Sequence, residues 1–94
     1  MGKFVIHQND ANALEIKHAL ERVGATVEEG NWVDYVVGFQ KRTYLLEVKT
    51  KRGKLSPKQE RLLATWKGHY AVVRTVEEAF EAIGFKPVPV PGKH

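Results

Sequence analysis

Apolar and polar positions change period several times along the chain, and each change marks an element. From about Asp10 to Val23 the residues Ala13, Ile16, Ala19, Leu20 and Val23 recur at helical spacing, as a helix packed on a sheet requires. Asn9 or Asp10 is placed to cap this helix and Gly24 to end it. Three strands are predicted next: Ala25–Glu28, Trp32–Phe39 (WVDYVVGF) and Thr43–Thr50 (TYLLEVKT), the last two rich in β-branched and aromatic residues. Gln40–Arg42 is short enough for a tight connection, although it lacks Asn-Gly. Lys51–Leu55 reads as a basic loop around Gly53. Ser56-Pro57-Lys58-Gln59 opens a second helix: Ser56 caps, Pro57 suits the first helical position, and Gln59 completes a capping box. Leu62, Leu63 and Trp66 are its predicted buried side. Tyr70–Arg74 is a mostly apolar fourth strand. Thr75 caps a third helix with Glu78 as its capping-box partner, and Gly84 ends it. Met1–Asn9 reads as an ordered or partly ordered arm, and Lys86–His94, with three of the four prolines, as an extended tail. The order αβββαβα predicts one α/β domain over residues 1–94, an α+β mixed sheet with helices against it and a core from about 10 to 84.

Charges break this pattern at three places. Asp34, Glu47 and Lys49 interrupt strands that otherwise look buried. Side chains alternate along a strand, so Glu47 and Lys49 share a face while Leu46 and Val48 point to the other. If the hairpin turn is centred between Gln40 and Lys41, Asp34 sits opposite Glu47, with Cβ atoms roughly 5 Å apart. A one-residue slip would break that pairing. Two carboxylates so close repel, and burial makes this worse. A divalent cation would remove the conflict, and hard oxygen ligands suit Mg²⁺. The alternative is a half-exposed hairpin whose polar face carries all three charges.

Composition narrows the picture. An apolar fraction of 43% suits a globular chain rather than a disordered one. The lack of cysteine excludes disulfides and thiolate zinc sites, and fits a reducing compartment. No apolar run approaches the roughly 20 residues of a membrane helix, and Met1–Ile6 is too short for a signal sequence core, so a cytoplasmic protein is expected. A net charge of +4 suits a polyanionic partner. Its placement says more, because Lys49, Lys51, Arg52, Lys54, Lys58 and Arg61 crowd one stretch. His7, His18, His69 and His94 have no ligand spacing, so a His-Asn-His nuclease site has no support.

Asp34, then twelve residues, then Glu47-Val48-Lys49 resembles the PD-(D/E)XK nuclease superfamily. The run TYLLEVKTKRGKLSPKQERLLATWKGHYAVVRTVEEA resembles its VRR-NUC branch, the virus-type replication-repair nucleases. There too the EVK strand leads into a basic Gly-containing loop, a Leu-Ser-Pro-x-Gln helix start, a Val-Val-Arg strand and a Val-Glu-Glu helix. DANALEI, Asp10–Ile16, is similar to the family's first-helix segment, with Glu15 as its acidic residue. The likeness runs from about Asp10 to Gly84 and implies a restriction-endonuclease-like αβββαβ core. One departure stands out: Gly30-Asn31-Trp32-Val33 precedes Asp34, where the family usually has Pro-Asp. That alters the approach loop and bears on substrate preference more than on chemistry.

The resemblance implies a Mg²⁺-dependent endonuclease acting on DNA, with Mn²⁺ as a substitute. Asp34, Glu47 and the Val48 carbonyl would bind the metal. Glu15 would reach it directly or through water, or else is a solvated helix charge. Lys49 would orient or help deprotonate the attacking water and neutralise the phosphate. Gln59, whose cap role suffices to explain it, faces the active site in related nucleases. Lys51, Arg52, Lys54 and Lys58 would hold DNA phosphates, fixing position without reading sequence. Tyr35, Tyr44 and Trp66 read as core, and Arg74 as a surface ion pair or a phosphate contact. Stand-alone relatives of this size resemble Holliday-junction resolvases of phages or phage-like elements. A two-fold junction needs two sites, and hence a homodimer on branched DNA. Two other readings stay open: a catalytically silent DNA-binding module on the nuclease fold, and an RNA-processing nuclease.

Overall fold

The computed structural model describes residues 8–88, with side chains described from Ala11 onward. The arm over residues 1–7 and the tail from residue 89 onward lie outside the described residues. Seven elements follow in the expected order: α1 Gln8–Arg22, β1 Thr26–Glu29, β2 Tyr35–Phe39, β3 Arg42–Val48, α2 Pro57–Thr65, β4 Tyr70–Val73 and α3 Val76–Ala82. The strands form one sheet in the order β1-β2-β3-β4. The first three are antiparallel neighbours, and β4 joins β3 in parallel after the α2 crossover.

Alternation decides what each face of β3 does. Tyr44, Leu46 and Val48 join the core cluster with Ile16 and Leu20 of α1, Ala79 of α3 and Ile83 at the C-cap of α3. Ile16, Leu20 and Leu46 are fully buried, and removing each from water contributes about 1.5–3 kcal/mol. Tyr35 anchors the helix to the sheet from β2, its Oη donating to the Ala13 carbonyl at 3.0 Å. Leu45, Glu47 and Lys49 take the alternate positions, on the other face. Gly24 and Gly84 end α1 and α3, at φ +98° and +79°. Among the described residues no helix is long and apolar enough to cross a membrane.

The differences from expectation have local causes. Helix α1 already contains Asn9 and Asp10, so neither is its cap. Strand β2 starts at Tyr35 rather than Trp32, because the β1–β2 ladder ends at Glu29↔Tyr35 and the chain then bends. Of the three residues expected to line α2's buried side, only Leu62 is buried, while Leu63 and Trp66 are exposed. Helix α2 packs along β4, the last strand of the sheet, so no further strand covers its outer flank. Leu63 instead lines a shallow groove with Leu55, Val72 and Ala82. At α3 the Thr75 hydroxyl accepts from the Glu78 N–H at 3.0 Å, but the Glu78 carboxylate accepts from the Arg74 N–H at 2.7 Å instead of from Thr75. The box closes one residue early, on the end of β4.

The β2–β3 turn is the two residues Gln40 and Lys41, at φ +53° and +69°. Both occupy the left-handed region, the geometry that normally selects Asn-Gly. Replacing Gln40-Lys41 with Asn-Gly is expected to stabilise the fold by about 1 kcal/mol, a gain of about 4–8 °C in Tm for a domain this size. Calorimetric melting checks this; no gain would mean the turn carries no strain.

Candidate active site

The short turn sets the hairpin register, which pairs Tyr35 with Leu46 and Phe39 with Arg42. One further step along that register sets Asp34 against Glu47, on the face away from the α1/α3 core. The backbone closes here as well. The Gly30 N–H donates to the Asp34 carbonyl at 3.2 Å, and a Cβ at Gly30 would stand 2.7 Å from the Val33 carbonyl oxygen. Only glycine allows so tight an approach, which aims Asp34 back at β3. One oxygen of the Asp34 carboxylate, Oδ2, accepts from the Val48 N–H at 2.7 Å.

Glu47 is 2% exposed, the one charged residue in the buried set of the described chain. Its pKa is raised above the usual carboxylate range. Burial is the largest cause, followed by the Asp34 charge and a side-chain hydrogen bond with Asp34. Two influences oppose the rise: a hydrogen bond from Tyr70 and the Lys49 charge. Burial and the facing Asp34 carboxylate thus both disfavour the charged form of Glu47, as expected of two carboxylates forced together. The Tyr70 Oη donates to Glu47 Oε2 at 3.2 Å. Burial, then the Glu47 charge, pushes the Tyr70 hydroxyl up to about 12, so it remains a neutral donor at any ordinary pH.

Lys49 lies two residues beyond Glu47 on the same strand face, half-buried. Its backbone N–H donates to the Val73 carbonyl at 3.0 Å, fixing the end of β3 against β4. The loop that follows is clamped from the other side. Arg74 Nη1 donates to the carbonyls of Thr50 at 2.5 Å and Gly53 at 2.8 Å, with Lys51 more distant at 3.5 Å. Arg74 thus shapes the loop, backbone carbonyls accepting from its Nη1, and it forms no ion pair among the described residues. Asn12 ties the same corner to α1, its amide donating to the carbonyls of Lys49 at 3.1 Å and Arg74 at 3.2 Å. With the loop held, Lys51, Arg52, Lys54 and Lys58 all stand exposed.

Two further expected residues have a definite place. Glu15 is exposed on α1, three residues on from Asn12 and so on the same flank. Among the described residues no group of three or more His, Cys, Asp or Glu side chains is gathered closely enough to hold a metal ion, so Glu15 does not join Asp34 and Glu47 in this conformation. Gln59 completes the capping box, its Oε1 accepting from the Ser56 N–H at 3.0 Å while the Ser56 hydroxyl accepts from the Gln59 N–H at 3.1 Å. Any part in the site falls to its amide group.

Tyr70 and Asn12 went unpredicted. Asn12 had a signal, since it falls four residues before Ile16 on the apolar face of α1. Tyr70 had none: its contact depends on the parallel register that pairs Leu45 with Tyr70 and Glu47 with Val72 across the crossover. The donor set suits a small divalent cation, since two adjacent carboxylates, one of them buried, offer hard oxygens whose mutual repulsion such an ion would cancel. Compared with protein-family models, characterised proteins and solved structures, the chain finds no match.

Proposed function

We propose that this chain is a Mg²⁺-dependent endonuclease that hydrolyses DNA phosphodiester bonds, with a preference for branched structures such as four-way junctions. The observation that carries the reading is the Asp34–Glu47 carboxylate pair, backed by Lys49 on the same face and bordered by an exposed basic loop. The resemblance to the VRR-NUC branch supports the same assignment. Asp34, Glu47 and the Val48 carbonyl would hold the cation, with Glu15, which stands apart from the pair in this conformation, contributing through a bridging water. When bound, Mg²⁺ supplies polarisation of a phosphoryl oxygen and offsets the charge that builds up in the transition state, and Mn²⁺ can replace it. Tyr70 holds one oxygen of Glu47 and so sets the direction of the other. Lys49 neutralises the reacting phosphate and orients the attacking water. Lys51, Arg52, Lys54 and Lys58 grip neighbouring phosphates, with Arg74 and Asn12 keeping the loop in place. Incubation with four-way junction, linear duplex, single strand and RNA, in Mg²⁺ or EDTA, tests the reading. Metal-dependent cutting of DNA, strongest on the junction, is expected. Cutting of RNA alone would reassign the substrate, and cutting of nothing would leave a silent DNA-binding module.

Two consequences follow for binding and assembly. Replacing both Lys51 and Arg52 with Ala should make the log–log salt dependence of duplex binding shallower by roughly one to two units, because each lost phosphate contact removes about 0.9 of slope. Anisotropy titrations in Ca²⁺, which blocks cutting, measure this. An unchanged slope would mean that the loop is only a solvated connection. A junction needs two cuts, so a homodimer is expected at micromolar concentration. A monomeric mass by light scattering, with and without DNA, would favour a nicking or flap-cutting enzyme instead.

A further inference from the structure

The chain has two tryptophans, and both stand in solvent. Trp32 is 45% exposed and Trp66 42% exposed. They lie against each other, ring centroids 5.6 Å apart and planes tilted by 52°. Trp32 comes from the bend before β2, and Trp66 is the C-cap of α2, so two separate elements converge to make the pair. Isolated exposed indoles are uncommon, since Trp is highly buried on average. A pair presented together is the kind of surface that takes a ligand.

Its surroundings say which ligand. Lys58 Nζ lies 5.9 Å from the centroid of the Trp32 ring, in the range of a cation–π contact. Lys67 follows Trp66 and is exposed, as is Asn31 before Trp32. An apolar protein partner would meet an apolar surround, whereas this aromatic surface is bordered by amines. Flat π faces beside positive charges match a nucleobase with its phosphate. The position agrees, because Trp32 precedes Asp34 by two residues, a stretch that spans at most about 7 Å. The Trp32 backbone therefore adjoins that of Asp34, one of the two carboxylate residues. In a duplex both faces of every base are covered by stacked neighbours, so only an unpaired base has a face to offer.

We infer that Trp32 and Trp66 form a stacking platform for an unpaired nucleobase next to the scissile phosphate, with Lys58 gripping the phosphate of that nucleotide. The inference rests on the nuclease reading for the presence of DNA and goes beyond it in naming the feature recognised. Single-stranded stretches, and the opened bases of forks and junction centres, are selected over continuous duplex. Gly68 sets the pose of Trp66: a Cβ there would stand 2.9 Å from the indole Nε1 and force the ring to swing.

Because the platform holds both tryptophans, quenching of indole emission in the wild type reads the platform alone, while anisotropy of end-labelled oligonucleotides reads affinity in every variant, including the double one that has no indole. The experiment titrates wild type, W32A, W66A and the double variant with oligothymidine and with a duplex of equal length, in Ca²⁺. Oligothymidine should quench the wild-type emission. Each single alanine variant should lower single-strand affinity roughly ten-fold, since a base stacked on an aromatic side chain contributes on that scale, while duplex affinity and the salt slope change by less than about two-fold. W32F and W66F, which keep an aromatic face, should recover most of the loss, and G68A should reproduce part of the W66A effect without removing a ring. Unchanged single-strand affinity in the double variant would overturn the inference. So would an equal loss on duplex, or conversion of a dimer to a monomer by the same substitutions, which would make the pair a protomer contact. Metal-dependent cleavage of duplex by the double variant, measured alongside, reports on the carboxylate site separately, so the platform can fail while the nuclease reading stands.

Discussion

Replacing Asp34 with Asn or Glu47 with Gln is expected to abolish DNA cleavage while leaving the fold as stable as before or more so. The metal supplies several kcal/mol of transition-state stabilisation, and each 1.36 kcal/mol is ten-fold in rate, so cutting should fall by about 10³-fold or more. Stability moves the other way because Glu47 is a buried carboxylate set against Asp34. In Glu47→Gln the amide can donate to Asp34 while its oxygen still accepts from Tyr70. The pH dependence has a definite sign. The Glu47 pKa is raised on folding, so its contribution is fully present below the unfolded value of 4.5 and is lost as pH rises through the folded value. Metal-free wild type should therefore fall behind Glu47→Gln in Tm as pH climbs from about 4.5 towards neutrality. Added Mg²⁺ or Mn²⁺ should raise the wild-type Tm and not that of the variant. Melting both proteins across pH, with and without metal, checks every part of this. Full cleavage by either variant would remove the pair from the active site.

Lys49→Ala is expected to lower turnover by about 10²–10⁴-fold, the range for a positioned group that assists proton transfer or charge neutralisation, and to change DNA affinity by only a few-fold. On the proposed reading affinity is shared among Lys51, Arg52 and Lys54 of the neighbouring loop and Lys58 in the first turn of α2, all exposed, whereas the amine of Lys49 shares a strand face with Glu47. Single-turnover rates and anisotropy binding on the same substrate separate the two effects. An equal fall in both would make Lys49 one more phosphate contact.

The parts of this molecule that were legible in the sequence depend on local geometry. The hairpin register followed from a two-residue turn, and from it the meeting of Asp34 and Glu47. The Ser56 capping box and the helix ends at Gly24 and Gly84 followed from residue type alone. What stayed hidden depends on neighbours far along the chain. The exposure of Trp66 and Leu63 reflects where the sheet ends, and hydrophobic spacing in α2 carries no record of that. Trp32 reads as strand by composition, yet the close approach of Gly30 to Val33 bends it out of β2. Arg74 looked like a surface cation because its acceptors are carbonyls of a loop more than twenty residues earlier. Tyr70 reaches Glu47 only through the parallel pairing of β3 and β4, which no local pattern announces.

Asp34 and Glu47 are proposed to form a metal-dependent phosphodiesterase centre. This is tested most directly by incubating an end-labelled four-way junction with wild type and Glu47→Gln, each in Mg²⁺ and in EDTA. Discrete cut products are expected for wild type in Mg²⁺ and in no other lane. Cutting that persisted in EDTA, or in the variant, would contradict it.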